Sequence, residues 1–478
     1  MPLVSLQYLG FLLAIVILYY LLPRYQRLLL TAASLVFLGL GNLASGIAII
    51  VLSLFNFQTG LSLFSAGREK RKTRIFIIAV LVNCLVILLF KYFESTPLGF
   101  YVKISSINYR LNHLVFLLGI SFYSLQNIAY LTDVYQRRMN PVTSLPDFIL
   151  YNAFFPKVFA GPIVLPGEFF NRGTQAIRFN SSNIAEGTQR ILLGLVKKVV
   201  IADRLAPTAH SIFDFNESHP GATSLAAAYV FTVQLYFDFS GYTDMAIGAC
   251  MLFGIPIKEN FNLPFLARSV SEFWRRWHIS LIDWLTKYLY YPVVFRLRNW
   301  KKWAAATGIC ITFIISGVWH GIGWTFLCWS ICHMVFLLVE LFTKMPRLRL
   351  AKKFSSFPYR AASILITFNL VSLSNIFFRA TRIGDALRLF RQIFSGPFLP
   401  VKFLADFMAP LAIGGNREEL FNYAVTITLT AAILFSEGFL YRYIRGERVK
   451  FGFILISLLL ILYFGVLGHA EKFIYTQF

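Results

Sequence analysis

From Lys301 to Lys344 the chain reads KKWAAATGICITFIISGVWHGIGWTFLCWSICHMVFLLVELFTK. Two apolar runs, over 303–319 and 320–342, meet at Trp319-His320-Gly321, and lysines stand at both outer ends. Each run approaches the roughly 20 residues that a helix needs to cross about 30 Å of hydrocarbon. Lysine and arginine favour the cytoplasmic side, so both lysine ends belong inside and the turn belongs on the far side. A helix from Lys302 to His320 rises about 27 Å at 1.5 Å per residue, which leaves His320 slightly short of the outer surface. A titratable ring is costly there and marks a cavity or reaction centre by default.

The same punctuation recurs along all 478 residues. The chain is 57% hydrophobic and 17% aromatic with only 14% charged, too apolar for a water-soluble domain of this length. An all-α polytopic membrane protein is expected, with one integral-membrane domain over 1–478. Net charge is +23, but the basic residues gather in short loops at Arg24–Arg27, Arg68–Arg74, Arg137 and Arg138, Arg296–Lys302, Lys344–Lys353 and Arg442–Lys450. That distribution sets topology and suits anionic membrane lipid; it presents no continuous face for nucleic acid. The first apolar run lacks a basic leader and a small-residue cleavage site, and reads as a retained span. The five cysteines lie in apolar segments without a CxxC pair, which favours buried packing over redox or metal chemistry.

With the basic clusters inside, crossings are expected near 3–22, 28–43, 46–66, 75–93, 114–136, 188–214, 223–253, 303–319, 320–342, 360–377, 422–441 and 452–468. That makes about 11–12 transmembrane helices with both termini outside. Residues 145–176 carry Pro146, Pro156, Pro162 and Pro166, and 256–295 carry Pro256, Pro264 and Pro292. Proline breaks a spanning helix, and irregular backbone at membrane depth survives only in protein or beside a water-filled cavity. Both stretches are therefore expected to be re-entrant around a central tunnel or funnel. Residues 379–421 are expected to form an outer interfacial segment with Ala386, Leu387, Phe390 and Phe394 on one face.

A second histidine, His278, ends the run Phe273-Trp274-Arg275-Arg276-Trp277-His278 on the expected inner side, so the two imidazoles approach from opposite faces. For His278 two roles stay open, reaction chemistry or a structural bond to backbone. For His320 function is favoured: Gly317, Gly321 and Gly323 allow close approach, and Trp319 and Trp324 can wall the ring. His113, His210, His219, His333 and His469 are expected in or beside loops, solvated or structural. Asp238 and Asp244 place two carboxylates in an apolar span and require partners. Arg268, Arg275 and Arg276 are the candidates, for structural ion pairing or, for one carboxylate, for orienting a histidine.

There is no HExxH, GxSxG or P-loop, and no metal site is expected. The chemistry that remains is an imidazole base acting on a hydroxyl that attacks an activated acyl group. A transporter or flippase also accommodates broken helices and buried charge, but such proteins usually show two matching halves, and no internal repeat is found.

Several motifs in fixed order carry a resemblance: Phe154-Phe155-Pro156, Ala160-Gly161-Pro162-Ile163, Tyr236 to Asp244, Glu259-Asn260-Phe261-Asn262, Phe273 to His278, Trp319-His320-Gly321 and Phe377-Phe378-Arg379-Ala380. Together they resemble the membrane-bound O-acyltransferase family, within it the bacterial branch that acetylates alginate, peptidoglycan and other envelope polysaccharides. The resemblance implies a multi-helical membrane enzyme around a tunnel in the bacterial cytoplasmic (inner) membrane, with His320 as central catalytic residue and His278 as a second polar landmark. It also implies acetyl-CoA or another acyl thioester as cytoplasmic donor substrate, with no bound cofactor. The expected partner is a periplasmic SGNH-type acetyltransferase, and the final acceptor a polysaccharide. The last residues, Phe473 to Phe478, are similar to an aromatic hexamer of this branch. Tyr475 is either an acyl relay deprotonated by His320, on the outer side near that residue, or an interfacial anchor. D-alanyl transfer to teichoic acid is the rival within the class. Val293-Val294-Phe295-Arg296 stands where relatives often have a glycine pair, and Val164-Leu165 where a basic residue is common; donor and partner recognition are what these departures touch.

Overall fold

In hydrocarbon, backbone groups have no water to bond and must be satisfied within the chain, which favours helices even for β-branched and aromatic runs. The computed structural model describes residues 3–95, 119–159, 161–171, 177–213, 220–321, 323–354, 357–395, 417–446, 448–466 and 473–474, and among them there is no strand. The chain divides into two compact units, Met1–Thr188 with Met245–Lys258, and Gln189–Asp244 with Glu259–Phe478.

The first unit contains α1 (Leu6–Leu21), α2 (Gln26–Gly41), α3 (Leu43–Ser65), α4 (Glu69–Ser95), α5 (Ile120–Tyr135), α6 (Leu145–Ala153), α7 (Pro166–Phe170) and the start of α8 (Ser181–Leu195). Its core gathers Phe57, Leu63, Tyr130, Leu131, Val134 and Phe148. Buried polar groups pair across helices: Asn56 and Asn83 exchange amide hydrogen bonds between α3 and α4 at 3.3 and 2.8 Å. Lys157 donates to the Tyr151 carbonyl at 2.8 Å and to Gln126 Oε1 at 3.2 Å.

The second unit continues α8 through a π-turn (Val196–Ala202) into α9 (Asp203–Phe213), and takes α10 (Gly221–Leu252) as far as Asp244. Short pieces follow: α11 (Val270–Trp274), α12 (Ile279–Leu285), a second π-turn (Thr286–Tyr290) and α13 (Tyr291–Arg296). Longer helices complete it: α14 (Lys302–His320), α15 (Trp324–Phe342), α16 (Lys344–Lys353), α17 (Phe357–Arg379), α18 (Ile383–Ser395), α19 (Arg417–Ile444) and α20 (Phe451–Phe464).

Among the described residues, six helical stretches are long and apolar enough to cross a membrane: Leu43–Ser65, Glu69–Leu89, Lys302–His320, Trp324–Phe342, Phe357–Arg379 and Ala424–Ile444. Their outward residues are lipid-suited, as with Leu81, Leu365, Ile366 and Phe435, all exposed. The expected separate crossings over 3–22 and 28–43 form instead one helix pair bent by 108° at Pro23, which lacks the N–H that would continue α1. The expected crossing over 188–214 is broken by the π-turn and buries four charged residues, Arg190, Lys197, Lys198 and Asp203. The proline-rich stretches fold as short helices, with Pro146 and Pro166 in first turns, where a missing N–H costs nothing. On α18 the covered face is Ala386, Leu389 and Ile393, while Leu387 and Phe394 are exposed, so the apolar stripe is rotated from the one expected.

In the second unit α10 approaches α8 and its π-turn closely. A Cβ on Gly241 would stand 2.8 Å from the Gly194 carbonyl oxygen and 3.0 Å from Lys197 Cβ. Gly241→Val is expected to lower thermal stability in detergent by about 1–3 kcal/mol, the range of overpacking. Gly10→Ala, where nothing lies within 4 Å, serves as the neutral control in the same unfolding measurement.

Candidate functional site

His320 is the last residue of α14 and is 4% exposed. The helix closes on Gly321, whose N–H bonds the Gly317 carbonyl at 3.2 Å, and a Cβ there would overlap the Phe326 ring. Three aromatic rings meet the imidazole edge to face: Trp319 at 4.8 Å, Trp329 at 4.9 Å and Phe378 at 5.5 Å between centroids. Trp324, expected in this wall, is 73% exposed; Trp329, further along α15, takes its place. Trp329 is fixed by donating to Asn375 Oδ1 at 3.3 Å, and Asn375 in turn donates to Thr232 Oγ1 at 3.1 Å.

Beneath Trp329 lies His333, which is not in or beside a loop as expected but buried within α15. Its Nε2 stands 2.9 Å from Ser374 Oγ, whose single hydrogen goes to the Val371 carbonyl, so the imidazole is the donor. Trp274 and Phe273 pack on the same ring.

His278 occupies a chain reversal in left-handed backbone, φ 45° and ψ 51°, a strained conformation for a non-glycine residue. Two backbone bonds hold it: Asn262 N–H to the Arg276 carbonyl and Ile279 N–H to the Asn260 carbonyl, both 2.9 Å. Asn260 Oδ1 accepts from Ser280 N–H at 3.1 Å and Ser280 Oγ at 2.9 Å, and faces His278 Nδ1 at 3.2 Å. An oxygen already receiving donors requires a hydrogen on Nδ1, which makes Nε2 the basic nitrogen. Burial keeps this imidazole neutral, its pKa pushed down to about 3. Phe239 meets its ring at 4.7 Å and Trp319 at 6.5 Å. Both histidines therefore border one indole, Trp319.

Arg275 is exposed, and Arg276 bonds Glu272 at 2.8 Å and the Asn262 carbonyl at 3.1 Å. Burial acts to raise the Glu272 carboxyl, but the Arg268 N–H and the Arg276 guanidinium outweigh it and hold the group below the usual range. The α10 carboxylates take other partners than the arginines expected for them. Arg190 Nε donates to Asp244 Oδ1 at 2.8 Å, and its NH1 reaches Glu259 at 3.1 Å. Lys197 bonds Asp244 and Tyr441, each at 2.7 Å, and Glu437. Lys198 bonds Asp203 at 2.7 Å and Asp238 Oδ1 at 2.6 Å. The π-turn falls on these two lysines, sending neighbouring ammonium groups to different carboxylates, Asp244 and Asp238. Sequence reasoning missed this network, although Lys197-Lys198 inside the run LVKKVVIA and Glu437 inside an apolar helix are signals from which it could have been found. Tyr475, His113, His219 and His469 lie outside the described residues.

Membrane-length apolar helices and buried histidines describe a polytopic membrane protein with polar groups in its interior, and residues 113–372 match the membrane-bound O-acyltransferase family. The chain belongs to that family and is an O-acyltransferase. It is 35% identical over 386 residues to the probable alginate O-acetylase AlgI of Azotobacter vinelandii, covering 79% of this chain and 74% of the relative. It is 33% identical over 397 residues to the peptidoglycan O-acetyltransferase of Helicobacter pylori, covering 77% and 74%. The teichoic acid D-alanyltransferase of Bacillus subtilis is 27% identical over 242 residues, covering 47% and 59%.

Lys197 is fully buried between two carboxylates. Lys197→Met strands the Glu437 carboxylate, while Asp244 keeps Arg190, and is expected to cost about 3–5 kcal/mol, whereas Lys197→Met with Glu437→Leu recovers part of the loss because the orphaned charge is removed. Thermal unfolding of the two variants in the same detergent checks the order.

Proposed function

We propose that this protein moves acetyl from a cytoplasmic thioester, acetyl-CoA or a related donor, across the bacterial cytoplasmic membrane for O-acetylation of an exported or cell-envelope polysaccharide. The observation that carries this reading is the placement of His320 at the C-terminal end of α14, buried among Trp319, Trp329 and Phe378. The negative end of the helix macrodipole favours an imidazolium there, and the charge forms only while the ring holds a proton. His320 removes a proton from the attacking hydroxyl, whose oxygen bonds the thioester carbonyl carbon. The tetrahedral oxyanion collapses, the carbon–sulfur bond breaks, and the leaving thiolate takes the proton back from the imidazolium.

His278 opens the continuous helical stretch from Ile279 to Arg296, at its N-terminal, positive end, where an imidazolium is disfavoured. It serves as a neutral partner that orients the reacting group across Trp319 from His320. Tyr475 is the candidate acyl relay, accepting acetyl before a periplasmic SGNH-type acetyltransferase passes it to the glycan. Both termini face outward in this scheme, and the basic loops lie against the cytoplasmic leaflet. D-alanyl transfer to teichoic acid is the weaker reading, because the acetylating relatives share a larger part of the chain.

Acetyl ester content of the envelope polysaccharide, measured at matched membrane abundance, tests the scheme. His320→Ala is expected to reduce it to background, a fall of at least about a hundredfold for loss of a general base. His278→Ala is expected to reduce it less, and Tyr475→Phe to abolish it if that hydroxyl is the relay. Unchanged ester content in His320→Ala sinks the mechanism.

A further inference from the structure

Residues 473–474 lie against the middle of α10. Phe473 stacks on Tyr242 with centroids 4.5 Å apart and 21° between the planes, and it meets Phe239 at 5.7 Å. Phe239 also meets the His278 ring. Ile474 donates its backbone N–H to Asp238 Oδ2 at 2.8 Å, while Oδ1 of the same carboxylate takes Lys198 Nζ at 2.6 Å. Asp238, Lys198, Phe473 and Ile474 are all buried.

A neutral amide–carbonyl bond would hold a short segment weakly, since folding merely exchanges it for a bond to water. A buried carboxylate is a stronger acceptor, about twice a neutral one, and few water molecules compete for it. Lys198, anchored also by Asp203, takes one oxygen of Asp238 and leaves the second turned toward the segment. Asp244 is committed to Arg190, Lys197 and Tyr441, so of the two α10 carboxylates Asp238 is the one that holds this segment.

We propose that Asp238 is a positioning residue: its carboxylate, held by Lys198, clamps residues 473–474 one phenylalanine ring from His278 and makes that segment a wall of the reaction chamber. The clamp reaches His278 through the Phe239 ring, which touches both Phe473 and the imidazole. The clamp stands on its own geometry; only its effect on activity rests on the acetyl-transfer reading above.

Ile474→Pro removes the donated N–H, and Ile474→Val keeps it. At matched membrane abundance, Ile474→Pro and Asp238→Ala are each expected to lower polysaccharide acetyl ester content about tenfold, the worth of one charge-assisted hydrogen bond. Ile474→Val loses far less, Asp238→Asn recovers part of the Asp238→Ala loss through its remaining oxygen, and the Asp238→Ala/Ile474→Pro pair is no worse than either single change. A hundredfold loss in the pair means the two residues act separately and overturns the clamp. Maleimide labelling at position 474 in an Ile474→Cys variant, read by peptide mass spectrometry, is expected to accelerate about tenfold when Asp238→Ala is added, for the same lost bond. Unchanged labelling overturns the clamp whatever the activity does. Faster labelling with full acetylation overturns the positioning role. If wild-type protein yields no acetyl ester, the acetyl-transfer reading has failed, and the labelling still decides the clamp.

Discussion

A charge buried without water needs an opposite charge or hydrogen bonds to hold it, and that constraint organises the second unit. Three cations, Arg190, Lys197 and Lys198, meet five carboxylates, Asp203, Asp238, Asp244, Glu259 and Glu437, and every lysine proton direction named above ends on oxygen. The cost of taking such groups from water is several kcal/mol each, offset only by good geometry and additional hydrogen bonds. Tyr236 and Tyr441 supply those bonds to Glu437, and the Tyr441 ring lies 3.9 Å under the Arg190 guanidinium. The π-turn and the glycine contact on α10 follow from the same demand, because the helices must close to ion-pair distance.

This rigid frame lies next to the imidazoles without including them. His278 touches it through Phe239, on the same helix as Asp238 and Asp244, and through Asn260, which follows Glu259 in the chain. His320 is held by a different device, a box of aromatic edges anchored by Asn375 and by His333 with Ser374. Asn260 thus bonds one imidazole, and aromatic edges pack around the other. Their opposite positions relative to helix ends separate them further: a transient positive charge is favoured at the end of α14 and disfavoured at the start of α12.

The broken segments serve the same end. Left-handed backbone at His278 and Leu263 costs energy that two backbone bonds and the Asn260 side chain repay locally. Regular helix could not turn an inward imidazole back toward Trp319 within so few residues. Prolines at first-turn positions permit these reversals without leaving an unmet N–H.

Amino-acid order by itself determined the helical membrane class, because apolar length, basic punctuation and buried proline act over short stretches of chain. It also singled out His320, His278, Asp238 and Asp244, since polar residues in apolar runs are conspicuous wherever they fold. Local pattern stops at partners. Arg190, Lys197 and Glu437 join Asp244 across separations of 54, 47 and 193 residues in the chain, with Glu437 reaching it through Lys197 and Tyr441. Arg275 and Arg276, nearer in appearance to what Asp238 needed, face elsewhere. The exchange of Trp324 for Trp329 has the same origin: which turn of α15 meets His320 depends on how α14 and α15 pack around Gly321. Likewise, only the tertiary structure set both imidazoles against Trp319, because a re-entrant segment can be recognised from its prolines while the depth at which it turns is decided by what it packs against.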